Sequence, residues 1–280
     1  MPKVRTIYRG GSRFYVHPEN RDLAHPGVTS ILGMLPKQNF LGPWNARMTA
    51  ELAVDSIDYI SSMAMRDRQG AIDYLRGAAR RYTKIRADIG SEAHDIFERL
   101  IRGEQVYSVR EDLEPYLHHF RQFLAEVNPE LVRAEDVAWS DTYGYAGSFD
   151  VIFYVWLDED GKPTPDRSGK RHLVMGDWKT SKATYADVAL QLSAYQRADF
   201  IIDPDGNRTP MPEFEGAYVL HITDETWALK PVETSDDVFR FFLHLRAIFD
   251  WDRDVSRRVI GKPVAAKAGT RIVTGTQRRA

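Results

Sequence analysis

His172-Leu173-Val174-Met175-Gly176-Asp177-Trp178-Lys179-Thr180 is the stretch on which the fold turns. Residues 172–178 have the apolar and aromatic composition of a strand fitted to a half-buried sheet. Side chains alternate along a strand, so Asp177 and Lys179 look to one face while Trp178 points to the other. A carboxylate and an ammonium then share the same space. The stretch Gly147-Ser148-Phe149-Asp150-Val151-Ile152-Phe153 reads the same way. Phe149, Val151 and Phe153 fall on one face and Asp150 is the odd polar residue on the opposite one. Residues 158–170 between the two strands are turn-forming. A reversal near their middle, around Thr164, pairs the strands antiparallel and sets Asp150 beside Asp177 or Trp178.

Outward from this pair, residues 131–140 carry the same texture, so 131–140, 145–157 and 172–178 are expected to be adjacent antiparallel strands. Upstream the periodicity turns helical over 43–65, over 67–101 with Gly77 and Gly90 as candidate breaks, and over 113–127. Ile89, Ala93, Phe97 and Leu100 recur at helical spacing and leave His94 and Glu98 one turn apart beside the apolar stripe. Residues 4–16 alternate around Gly10-Gly11 as a hairpin, and Thr29 or Ser30 is placed to cap a short helix that Pro36 ends. Downstream, a helix over 185–200, strands at 216–222 and 227–232 and a helix over 235–253 complete an α/β pattern. The expected architecture is a central mixed β-sheet flanked by helices, with a helical N-terminal embellishment. One domain would span 1–255, with a core over 85–235 and the hairpin and first helices over 1–84. Residues 256–280 hold Arg257, Arg258, Lys262 and further cations with no acid, and are expected to form a basic, flexible tail.

The sequence contains no cysteine, which excludes disulfides, thiol nucleophiles, cysteine-held zinc and iron–sulfur clusters. Any metal must take His, Asp, Glu or backbone oxygen. There is no apolar run long enough to span a membrane, and Met1-Pro2-Lys3-Val4-Arg5 lacks the apolar core of a secretory signal. The expected location is the cytoplasm. The net charge of −2 hides an uneven distribution: Arg80, Arg81, Lys84 and Arg86 belong to a basic helical stretch that is either a solvated face or a contact for phosphates.

Two carboxylates brought together by the strand pairing repel each other unless a cation lies between them, so Asp150 and Asp177 argue for a divalent metal. Hard oxygen ligands suit Mg²⁺ or Mn²⁺, and His94 tilts the choice slightly toward Mn²⁺. Such an ion activates water and stabilises charge on a phosphate under attack, while the Lys179 ammonium steadies the nucleophile or the phosphoryl oxygens. That combination suits phosphodiester hydrolysis.

Taken in order, Gly90-x-x-x-His94, Glu135, Gly147-Ser148-Phe149-Asp150, Asp177-Trp178-Lys179 and Gln191-x-x-x-Tyr195 resemble the RecB-like branch of the PD-(D/E)XK nuclease superfamily. The likeness spans about residues 85–200. Val28-Thr29-Ser30-Ile31-Leu32 and Gly42-Pro43-Trp44 more weakly resemble phage-encoded members. The resemblance implies a restriction-endonuclease-like core and metal binding by His94, Asp150, Asp177 and the Trp178 carbonyl. It further implies catalysis by Lys179 with Asp150 and Asp177, Glu135 as an outer contributor, and Gln191 and Tyr195 along the DNA path. It implies a Mg²⁺- or Mn²⁺-dependent deoxyribonuclease, an exonuclease more readily than an endonuclease, in phage or bacterial DNA recombination and processing. DNA would be its partner, with a recombination protein or further copies of the chain as others. The second acid is Asp where many relatives have Glu, and the cluster-binding cysteines of some relatives are missing.

Two rival classes use the same residues. A nucleic-acid-binding protein could keep this fold without cutting, although pure binding has no use for a complete acid–acid–lysine set. Two acids in a cleft also suit a glycosidase, against which Lys179 speaks. Individually, His94 also reads as an ordinary helix histidine, Glu135 as a strand carboxylate paired with Arg133, and Tyr195 as plain core.

Overall fold

The computed structural model describes residues 4–36 and 38–265. A hairpin comes first, β1 (Thr6–Arg9) and β2 (Ser12–Val16), and Gly10 and Gly11 at its turn hold positive φ of 57° and 80°. Two successive left-handed residues match the twist of the strands, and glycine adopts them without steric cost. β3 (Ala24–Pro26), which the sequence did not announce, pairs with β2. In α1 (Val28–Leu32) the N-cap is Gly27 and no side chain caps the helix, so Thr29 and Ser30 lie inside it rather than at its mouth. Ser30 Oγ instead accepts the Arg13 amide at 3.0 Å, tying the helix to the hairpin.

Four helices follow: α2 (Gln38–Asp55), α3 (Ile57–Arg66), α4 (Arg68–Arg76) and α5 (Ala78–Ile101). The helix expected over 43–65 thus begins earlier and divides at Ser56. That expected over 67–101 divides at Gly77, whereas Gly90 stays within α5. A 3₁₀ turn (Glu111–Leu113) leads into α6 (Glu114–Val127), closed by Asn128 in the left-handed region at φ 48°.

The strands then arrive: β4 (Glu130–Ala134), β5 (Val137–Ser140), β6 (Tyr145–Ser148), β7 (Val151–Leu157) and β8 (Lys170–Lys179). After α7 (Asp187–Gln196) come β9 (Phe200–Ile202), β10 (Arg208–Pro210), β11 (Gly216–Ile222) and β12 (Trp227–Pro231), before α8 (Asp236–Arg253) and a 3₁₀ turn (Val255–Arg257). The helix expected over 185–200 therefore stops at Gln196, and Phe200 opens a strand. Of the expected basic tail, residues 266–280 lie outside the described residues.

The central sheet has five strands in the order β12-β11-β8-β7-β4, with β8 and β11 parallel and the other neighbours antiparallel. This is an α/β fold with a mixed sheet flanked by helices. Alternation along the strands builds a core on each face. Ile152, Met175 and Val219 pack with Leu192 of α7 and Phe242 of α8. Val151, Phe153, Val174 and Trp178 pack with Phe97 of α5 and Phe120 and Phe123 of α6. Phe97 stacks on Phe120 at 4.4 Å between ring centroids, and Trp178 meets Phe120 edge-on at 5.5 Å. Burying each such ring stabilises the fold by about 1.5–3 kcal/mol, which anchors α5 across the sheet. Among the described residues no helix is long and apolar enough to cross a membrane.

The segments expected as single strands over 131–140 and 145–157 are each two strands. Their outer parts, β4 and β7, pair in the central sheet, while β5 and β6, next to the turn, pair in a second sheet of order β10-β9-β5-β6. One two-stranded ribbon thus passes from sheet to sheet at a corner, residues 135–136 on one arm and 149–150 on the other. Glu135 makes the bend with φ 60°, a conformation that costs a non-glycine residue on the order of 1 kcal/mol. Its N–H donates to the Asp150 carbonyl at 3.1 Å, and the Phe149 N–H donates to the Asp136 carbonyl at 3.1 Å. The corner also corrects the expected facing of Phe149. It packs with Ile152 on one side of the sheet, while Val151 and Phe153 point to the other.

Candidate active site

The β7–β8 pairing sets Val151 opposite Gly176, so one further step brings Asp150 level with Asp177. Asp150 stands just before β7, where the backbone ladder stops. Its Oδ2 accepts the Trp178 N–H at 2.6 Å, so a carboxylate takes the place of the next ladder carbonyl. The side chain is held at the end of β8 by the backbone of the residue between Asp177 and Lys179. The Trp178 ring lies in the opposite core, and its amide is the group bonded to Asp150.

The ribbon corner turns Glu135 toward the same place, and α5 delivers His94, whose Nδ1 lies 3.7 Å from Asp150 Oδ2. One ligand atom from each of His94, Glu135 and Asp150 falls within 4.8 Å of the others. Donors this close are within reach of one cation after small side-chain rotations, and one imidazole with two carboxylates singles out no particular metal. α5 passes the end of β8 at Gly90. A Cβ there would stand 3.2 Å from Thr180 Oγ1, just beyond the end of β8.

Asp177 faces the same cleft but is turned differently. Its Oδ2 forms an ion pair with Lys179 Nζ, and its Oδ1 accepts Gln191 Nε2 at 3.0 Å. Gln191 Nε2 also reaches the Tyr195 hydroxyl at 3.4 Å, one helical turn along α7. The Tyr195 ring lies over Gly147, where a Cβ would come within 2.7 Å of the ring. Glycine at 147 thereby lets α7 approach the ribbon and bring Gln191 to Asp177.

Burial pushes the Asp177 carboxyl up to about 7, the Asp150 charge adds to this, and Lys179 opposes it. Burial by itself pulls the Lys179 ammonium down, but the Asp177 and Asp150 charges and the hydrogen bond to Asp177 outweigh that and hold it above its ordinary range. The pair carries excess negative charge from a second carboxylate alongside, the condition a cation relieves. Burial also raises Tyr195, with the neighbouring Tyr15, Asp150 and Asp177 adding to it, so its hydroxyl stays neutral.

His94, Glu135, Asp150, Asp177, Lys179, Gln191 and Tyr195 all line one open cleft of about 590 Å³. The resemblance separates Glu135 from the metal-binding set and includes Asp177. The geometry groups Glu135 with His94 and Asp150, with Asp177 held in its ion pair beside them. Sequence reasoning missed Arg13 and Thr29, which enter the cleft from the N-terminal hairpin and α1, Arg13 Nη2 donating to Thr29 Oγ1 at 3.4 Å. No local pattern marks Arg13, and Thr29 stands out only as a candidate cap and within a weak resemblance; the packing of the hairpin on the ribbon brings both to the cleft. No protein-family model matches the chain, and no curated protein matches it.

Proposed function

We propose that this chain is a divalent-metal-dependent DNA nuclease with a restriction-endonuclease-like core of the PD-(D/E)XK type. The observation that carries this reading is the convergence of Asp150, Asp177 and Lys179 with His94 and Glu135 in one cleft at the end of the central sheet. His94, Glu135 and Asp150 would hold Mg²⁺ or Mn²⁺, with Asp177 joining as a carboxylate when the ion offsets its burial. A divalent ion bound there supplies Lewis acidity, making water a better nucleophile and drawing charge from a phosphoryl oxygen.

The chain's own residues do the rest. Lys179 keeps its proton and offers a compact positive charge to the phosphate oxygens and the attacking water. The Trp178 amide fixes the orientation of Asp150, so that no reorganisation is needed as charge develops. Gln191 holds Asp177 through Oδ1 and leaves Oδ2 toward Lys179. Arg13 lies at the rim, where a guanidinium suits the flanking phosphate of a bound strand. A protein that only bound DNA would have no use for a buried acid–lysine pair, which costs desolvation and adds little affinity.

Incubation of linear, nicked and circular DNA with Mg²⁺, Mn²⁺ or EDTA tests the proposal and separates action at ends from internal cutting. Metal-dependent degradation is expected, falling about a hundredfold or more in Lys179→Ala. No degradation under any condition, with Lys179→Ala indistinguishable from the parent, overturns it.

A further inference from the structure

Next to the acid cleft lies a second one, about 430 Å³, with a different lining. Trp44, Tyr82 and Tyr185 contribute three aromatic rings and Arg86 and Lys182 two cations. Tyr82 and Tyr185 are 38% and 57% exposed, so rings gathered in one cleft remain accessible to a ligand. Trp44 of α2 and Tyr82 of α5 stand edge to face with centroids 6.1 Å apart. Arg86 Nη2 donates to the Thr180 carbonyl at 3.4 Å, which holds this cation one residue past Lys179.

The two clefts adjoin, with Ala87 lining both. Tyr82, Arg86, Gly90 and His94 recur every four residues along α5, so a stripe winding gradually round the helix runs from the aromatic rings to the acids. Twelve residues of helix cover about 18 Å. That length accommodates on the order of five nucleotides at the duplex rise per strand, and fewer in an extended strand. Aromatic faces beside cations are the chemistry of single-strand recognition, since every base has a π-face and every nucleotide a phosphate. Paired bases in a duplex are stacked on each other and cannot offer that face.

We propose that this second cleft is a stacking site for an unpaired base of a single DNA strand, with Trp44, Tyr82 and Tyr185 against the base and Arg86 and Lys182 on its phosphates, and that α5 leads the strand from there to the acids. The assignment rests on the nuclease reading and specifies its substrate as single-stranded DNA or a frayed end.

The test measures anisotropy of labelled oligonucleotides with the full chain in EDTA, where cleavage is absent. Single-stranded DNA is expected to bind more tightly than a blunt duplex of the same length. Tyr185→Ala should weaken single-strand binding about tenfold, Lys182→Ala should weaken it and flatten its salt dependence, and Tyr185→Phe should keep the parent affinity. An abasic position at the stacked nucleotide should cost the parent a similar factor and cost Tyr185→Ala little more. Equal affinity for blunt duplex, tighter binding of RNA of the same sequence, or parent-like binding by Tyr185→Ala overturns the assignment. The two readings fail separately. Cleavage by the parent with Tyr185→Ala binding unchanged removes the stacking site alone, whereas the expected binding pattern without cleavage in Mg²⁺ or Mn²⁺ removes the nuclease and leaves the site.

Discussion

Replacing Asp177 by Asn together with Lys179 by Met removes the buried ion pair while keeping its volume, and the consequence depends on pH in a direction the structure dictates. In the folded chain burial lifts Asp177 from 3.8 to about 7, with Asp150 adding to the effect and Lys179 opposing it. Between those values the folded protein keeps a proton that the unfolded chain has released. Stability contributed by this group is therefore present at low pH and falls as pH rises from about 4 to about 7, after which it is level. Lys179 is raised, so its contribution is lost only above the ordinary lysine range, outside this window. At about 1.4 kcal/mol per unit, the parent should lose on the order of 3 kcal/mol between about pH 5 and about pH 8 that the double variant does not lose. The amide oxygen introduced by Asp177→Asn can still accept from Gln191, so the hydrogen bond made at Oδ1 survives the change. The assay is urea unfolding in EDTA at both pH values, and histidines elsewhere cancel in the difference between the two proteins. An identical pH dependence in parent and double variant would show that Asp177 is already ionised at the lower pH and would refute the electrostatic account of the site. Added Mn²⁺ should shrink the parent's loss, because a bound cation takes the place of the proton, and should leave the double variant almost unmoved.

Asp150→Asn should abolish metal-induced thermal stabilisation, which for the parent reaches about 2.7 kcal/mol at a hundredfold excess of ion over its Kd. A melting curve with and without Mn²⁺ reads it, and an undiminished shift in the variant would remove Asp150 from the ion. Glu135→Gly and Glu135→Gln should both lower metal-dependent cleavage, but the Gly variant should be more stable than the Gln variant by about 1 kcal/mol, since only glycine takes φ 60° freely. Equal unfolding midpoints would count against strain at the corner. Gly147→Ala forces a methyl to within 2.7 Å of the Tyr195 ring and should destabilise the fold by about 1–3 kcal/mol, with Tyr195→Leu in the same chain recovering part of the loss.

The hairpin of β7 and β8 was legible because alternation and a turn-rich insert fix facing and narrow the register: a reversal near Thr164 left Asp150 beside Asp177 or Trp178, and the observed pairing of Val151 with Gly176 selects Asp177. β11, at Gly216–Ile222, matches the expected range because its apolar run ends in turn-forming residues on both sides. The corner was not legible. A strand that crosses between two sheets keeps the composition of a single long strand, so residues 131–140 and 145–157 gave no sign of breaking at Glu135 and Phe149. The same bend defeated the facing of Phe149, since period-two reasoning assumes that the pleat continues. Gly90 looked like a helix break, yet it lies inside α5 beside Thr180, a tertiary neighbour that no local pattern contains. Lys179 was found through strand alternation, and His94 and Gln191 through the family resemblance, whereas Arg13 came to the cleft through packing across more than a hundred residues of chain.

Glu135 and Asp150 lie where the ribbon changes sheets, and main-chain bonds on both arms, Glu135 N–H to Asp150 and Phe149 N–H to Asp136, hold that passage closed. The interval between the two carboxylates is consequently set by the polypeptide itself and is insulated from the side chains filling either core. Substitutions in those cores can wear away the stability of the molecule well before they spoil the spacing of its ligands, so the hydrophobic interior is free to drift in sequence while the reactive geometry stays constant.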